Sequence, residues 1–167
     1  MKELELYVHI PFCIRKCAYC DFLSEPAGKE VQEAYVAQLL QEIEGSGRAF
    51  TGYQIRSVFF GGGTPSILEA DRVCQVLALL KQEFLFFKDA EVTVEANPGT
   101  VSEEKLAAYL EAGINRLSFG LQSADNQELS LLGRIHTWEQ FLDSYQAARK
   151  AGFQNLNVDL MSALPGQ

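Results

Sequence analysis

The chain alternates between two hydrophobic periods, and that alternation limits its fold more than any other feature. "ELELYVHI" places Leu4, Leu6, Val8 and Ile10 at every second position, the period of a strand. "KEVQEAYVAQLLQEIE" then places Val31, Tyr35, Leu39 and Ile43 four apart, one face of a helix, until "GSG" at 45–47 breaks the pattern. "IRSVFFG" reads as a second strand, Val73, Leu77 and Leu80 as a second helix, "AEVTVEA" as a third strand, "NRLSFG" as a fourth and "LNVDLM" as a fifth. Ser102 fits an N-cap, with Glu103 and Glu104 favoured in the first turn, and Thr137 with Gln140 fits a capping box. Gly113 and Gly152 fall where helices should end.

Strands that alternate with helices imply a parallel sheet. An internal echo sharpens this. "AGINRLSFGLQS" from Ala112 and "AGFQNLNVDLMS" from Ala151 match at an offset of 39 residues, the span of one βα unit with its loops. Repetition of whole units favours a (β/α) barrel over a sheet that reverses at a switch point. No linker or low-complexity segment interrupts residues 1–167, so they read as one domain. "LPGQ" follows directly on the fifth strand, where a further helix should come, and an unclosed parallel sheet leaves a bare edge. The expectation is an open partial barrel, the N-terminal part of a longer chain.

Formal charge is −8, from 14 basic and 22 acidic residues, which argues against an unaided nucleic-acid surface. No run approaches the roughly 20 apolar residues of a membrane span, and "LYVHIPF" lacks the flanks of a signal peptide. The chain therefore reads as cytoplasmic, a compartment in which thiols stay reduced.

Three of the four cysteines lie within eight residues, as Cys13-x3-Cys17-x2-Cys20 in the loop after the first strand. Three reduced thiolates on a tight loop point to a metal centre rather than to a disulfide framework. Zinc in a structural site needs a fourth ligand, for which His9 or Cys74 are the candidates. An iron–sulfur cubane offers four irons, so three cysteines leave one iron for a ligand that is not protein. Cys74, among Val73, Val76 and Leu77, otherwise reads as a buried small hydrophobe.

That spacing, with Tyr19 before the third cysteine, resembles the radical S-adenosylmethionine enzymes. The resemblance continues in order through "GGGTP" (61–65), "VEANPG" (94–99), "SFGLQS" (118–123), "LLGRIH" (131–136) and "NVDLMSALPGQ" (157–167). Together these look like the coproporphyrinogen dehydrogenase-like branch and, within it, the heme chaperones. The resemblance implies that Cys13, Cys17 and Cys20 hold a [4Fe-4S] cluster whose fourth iron takes S-adenosylmethionine. It implies cosubstrate contacts from Tyr7, Tyr19, Gly62, Gly63, Thr64, Glu95, Gln122, Arg134 and Asp159. In such a family the reduced cluster cleaves the sulfonium to methionine and a 5′-deoxyadenosyl radical, which takes a hydrogen atom from substrate.

Two functions fit this branch. A heme chaperone delivers heme to apoproteins; a coproporphyrinogen III dehydrogenase converts two propionates to vinyl groups. The dehydrogenases carry a further cysteine two positions after the third, where this chain has Phe22, and the "LGRIH" ending is chaperone-like. The implied partners are heme or porphyrinogen, a reductant such as flavodoxin or ferredoxin, and heme-receiving apoproteins. His136 is open to two readings, heme ligand or polar contact at a helix start. One departure stands out: Ser162-Ala163 replaces the aromatic residue and glycine usual before "LPGQ".

Overall fold

The computed structural model describes residues 1–167. Five strands form one sheet in the order β1-β2-β3-β4-β5, with every neighbouring pair parallel. They are β1 (Lys2–Ile10), β2 (Tyr53–Gly62), β3 (Phe86–Ala96), β4 (Arg116–Gln122) and β5 (Asn155–Leu160). Between them run α1 (Lys29–Ile43), α2 (Ala70–Glu83), α3 (Glu103–Ala112), the short α4 (Asn126–Leu131) and α5 (Trp138–Ala151). Sequential order and uniform direction make this an open partial (β/α) barrel.

The pleat sorts the two faces of the sheet. Val8, Phe60, Val94, Leu117 and Leu156 stand in one register row across all five strands. The first four are buried and Leu156 packs against them, in the core that the helices cover. The adjacent row, Tyr7, Phe59, Thr93, Arg116 and Asn155, faces the other way and is mostly polar. A barrel of this kind buries its apolar row under helices and keeps a polar interior, which is the alternation expected of a sheet with two unlike faces.

Local signals end the elements as expected. The Ser102 hydroxyl accepts from the Lys105 amide, Thr137 and Gln140 form the reciprocal capping box, and Gly113 and Gly152 close α3 and α5 in the left-handed conformation. The face of α1 differs from the sequence reading. Val31 is exposed, whereas Val36 and Ile43 are buried, with Leu39 and Leu40 partly so. A strict four-residue step drifts around a helix of 3.6 residues per turn, so the first member of the series leaves the interface. Cys74 is half-buried rather than buried; its Sγ lies 3.6 Å from the Ala108 carbonyl of α3, to which it donates.

The echo has a structural meaning. Leu117 and Leu156 are register partners on β4 and β5. The match fails at a β-bulge between Gly120 and Gln122, where Gln122 takes φ = 73°. Bulges re-aim side chains at the rims of barrels, and this one lies beside the cysteine loop's cavity. No helix is long and apolar enough to cross a membrane.

Candidate cluster and cosubstrate site

The strands all end on one rim, and the loops that leave them build a cavity of about 390 Å3. Its lining includes Cys13, Cys17, Cys20, Tyr19, Gly62, Gly63, Thr64, Glu95, Gln122, Arg134 and Asp159. Every sequence-derived site residue except Tyr7 is therefore brought together. Tyr7 points from β1 onto the polar face below the rim, 59% exposed, stacked against Phe59 and within 3.4 Å of His9 Nδ1.

The cysteine loop is pinned at several points. The Cys13 amide donates to the Glu25 carbonyl, the Glu25 amide to Pro11, and the Ala18 amide to Leu132 at the end of α4. The glycine turn fits beneath it. The Gly63 amide donates to Ile10 and the Thr64 amide to Phe12. A Cβ on Gly63 would lie 2.4 Å from the Phe12 carbonyl oxygen, and one on Gly62 (φ = 116°) would lie 2.6 Å from the His9 ring. Gly63 thus lets two backbone segments touch and Gly62 leaves room for the His9 ring, requirements separate from any ligand's.

All four cysteines are free. The Thr64 hydroxyl reaches Cys13 Sγ at 3.6 Å and Arg134 Nη1 reaches Cys17 Sγ at 3.6 Å. The two residues considered as a fourth zinc ligand are engaged elsewhere: Cys74 with Ala108, and His9 through Nε2 with the Leu23 carbonyl at 3.0 Å. No three His, Cys, Asp or Glu side chains converge as the ligands of one metal ion would. The three thiols instead surround a common cavity, an arrangement that suits a cubane, whose thiolates each bind a different iron.

Glu95, at the end of β3, accepts from the Gly62 amide at 3.1 Å. Burial pushes its carboxyl above the usual range; the Gly62 bond opposes this and the charge of Asp159 adds to it. Asp159 accepts from Asn157 Nδ2 at 2.8 Å and from the Ser118 hydroxyl at 3.4 Å. Burial likewise raises Tyr19, which Arg134 pulls back down. Arg134 donates to Asn97 Oδ1 at 2.7 Å and to the Gly120 carbonyl, while its Nε is buried without a partner. A buried donor without a partner costs free energy, so this guanidinium is held in place by its other bonds, to Asn97 and the Gly120 carbonyl.

His136 is not a surface ligand. The residue is 4% exposed and its Nε2 lies 3.3 Å from the Leu121 carbonyl, just before the N-cap of α5. The sequence reading passed over Asn97 and Ser118, although both lie in motifs it singled out. Asn97 joins Thr64 to Arg134, and Ser118 carries Asp159 and Asn157. Their signal was position: each stands two residues or fewer from a chosen residue or strand end, yet neither type announces a ligand contact.

Comparison with known proteins agrees with this geometry. The profile of the Radical SAM superfamily matches residues 7–167. The "Heme chaperone HemW" of Haemophilus influenzae is 39% identical over 172 residues, covering 100% of this chain and 45% of that protein. The "Radical S-adenosyl methionine domain-containing protein 1, mitochondrial" of Mus musculus is 43% identical over 163 residues, covering 97% of this chain and 37% of that one. Among solved structures, coproporphyrinogen III oxidase (HemN) from Escherichia coli, a radical SAM enzyme, superposes with TM-score 0.90 at 32% identity, over 99% of this chain and 38% of that one. The chain spans less than half the length of these relatives. With a site at the rim and a superfamily match over nearly its whole length, the chain belongs to the radical SAM superfamily.

Proposed function

We propose that the chain is the N-terminal core of a heme chaperone that binds a [4Fe-4S] cluster through Cys13, Cys17 and Cys20 and takes S-adenosylmethionine beside it. One observation carries the reading: three free thiols, a glycine turn, two carboxylates and an arginine line the same cavity. A reduced cluster supplies the electron that breaks the cosubstrate's sulfonium bond. The rest is positioning by this chain. Thr64 and Arg134 donate toward the thiolates, Glu95 and Asp159 offer acceptors for ammonium or ribose hydroxyls, and Gln122 is turned into the cavity by its bulge. The guanidinium of Arg134, which lines the cavity, suits the cosubstrate carboxylate. Tyr19 walls the cavity, whereas Tyr7 stands on the polar face below it, outside the lining. The reductant, the receiving apoproteins and the heme pocket belong to the intact protein.

The chaperone reading rests on Phe22, which stands exposed at the cavity rim where the dehydrogenases carry a cysteine. A coproporphyrinogen III dehydrogenase is the second reading, favoured by the backbone likeness to HemN. Anaerobic reconstitution followed by EPR, with and without S-adenosylmethionine, tests the shared part: the expected result is a [4Fe-4S] signal that changes with the ligand. Incubation of the intact protein with coproporphyrinogen III and with hemin then separates the two. Heme binding and transfer without decarboxylation supports the chaperone; sustained vinyl formation would replace it with the dehydrogenase.

A further inference from the structure

We propose that Asn97 is a positioning residue that aims hydrogen bonds at two of the three cysteine sulfurs and so sets the reduction potential of the cluster. The inference rests on the cluster reading above and extends it to a residue outside the set of ligand contacts.

The geometry fixes the direction of each bond. Arg134 can only donate, so the Asn97 atom that faces Nη2 at 2.7 Å is the carbonyl oxygen. The other end of the amide is therefore the NH2, and it donates to Thr64 Oγ1 at 3.0 Å. The Thr64 oxygen is then an acceptor, and its single proton is left for Cys13 Sγ at 3.6 Å. On the other arm, the bond to Asn97 holds the guanidinium so that Nη1 reaches Cys17 Sγ at 3.6 Å. One side chain thus orients an O–H toward one thiolate and an N–H toward another.

Asn97 is itself held firmly. Its amide N–H donates to Ser66 Oγ at 3.3 Å and its carbonyl accepts from Thr100 Oγ1 at 2.7 Å. Thr64 is 2% exposed, so water does not compete for its hydroxyl. Donors to cluster sulfurs favour the more negative, reduced state and raise the potential.

The test is a reductive titration, followed by EPR, of the reconstituted protein and its Asn97→Leu, Thr64→Val and doubly substituted forms. Each single substitution is expected to lower the reduced-to-oxidised ratio at fixed potential about tenfold, equivalent to about 59 mV for a one-electron couple. The double variant should shift by less than the sum, because Asn97 acts partly through Thr64. Full iron loading of Asn97→Leu with the original potential would overturn the inference, as would strict additivity. If Asn97→Leu does not load, Asn97→Asp decides, since it keeps the acceptor for Arg134 and loses the donor to Thr64: no further lowering of the potential when Thr64→Val is added to Asn97→Asp supports the inference, and strict additivity sinks it. A parent protein that takes up no cluster would remove the cluster reading itself, and the inference with it.

Discussion

At the scale of single residues, two positions carry backbone or charge that the fold tolerates for a reason. Ala163 has φ = 59°, in the left-handed region, where a Cβ costs roughly 1–2 kcal/mol. It belongs to the Ser162-Ala163 pair that departs from the expected motif before "LPGQ", so that departure carries backbone strain. Ala163→Gly is expected to stabilise the chain by about 1 kcal/mol, read from chemical denaturation. Glu95 is a half-buried carboxyl whose affinity for its proton is raised. Its folded form binds the proton more tightly than the unfolded one, so stability is full below the ordinary carboxyl range and falls as pH rises through the raised value. Glu95→Gln keeps an acceptor for the Gly62 amide and removes the charge. It should raise the melting temperature at pH 7, with the advantage vanishing in acid, while S-adenosylmethionine binding to the cluster-loaded protein weakens about tenfold or more. Unchanged binding by titration calorimetry would remove Glu95 from the cosubstrate site.

At the scale of elements, His136 ties the start of α5 to the end of β4. Burial is the larger cause that lowers its imidazole to about 4, and the Arg134 charge adds to it, while the Leu121 bond works the other way. The unfolded histidine takes its proton near the ordinary value of 6.5, before the folded one does. Stability is therefore full above that value and is lost as pH falls toward 4, by at most about 3 kcal/mol. His136→Gln is expected to flatten this slope: parent and variant should differ at pH 7 and converge near pH 4.5 in urea denaturation. The neighbouring bulge at Gln122 belongs to the same junction. It interrupts the pairing of β4 with β5 at the point where a side chain has to turn into the cavity.

At the scale of the whole molecule, β1 and β5 are the sheet's edges, and β5 is the less covered. Its residues are intermediate or exposed throughout, and Leu160 is 68% exposed, whereas β2, β3 and β4 supply Ile55, Val58, Phe60, Val94 and Leu117 to the core at 2% exposure or less. Local opening free energies follow burial and pairing. Amide hydrogen exchange should thus be fastest in β5 and slowest in β2–β4; equal protection across the sheet would contradict an open edge at β5.

What the sequence determined by itself was what depends on neighbours along the chain. The period-2 and helical runs placed five strands and four of the five helices, and Ser102, Thr137, Gly113 and Gly152 ended them through short-range hydrogen bonds and backbone geometry. The cysteine spacing and the ordered motifs marked ten of the twelve expected site residues as loop or strand-end positions, and Tyr7 and Tyr19 as their flanks. The short helix Asn126–Leu131 escaped, because six residues carry too little periodicity to stand out. Tertiary structure alone decided which face of α1 is buried, since that depends on what α1 packs against. It decided that Tyr7 stands apart from the cavity. It also revealed Asn97 as the link between Thr64 and Arg134, residues 70 positions apart in the chain and joined only where β2, β3 and the loop after α4 meet. Hydrogen bonds between distant segments leave no periodic trace, so the network that holds the thiols had to be seen in three dimensions.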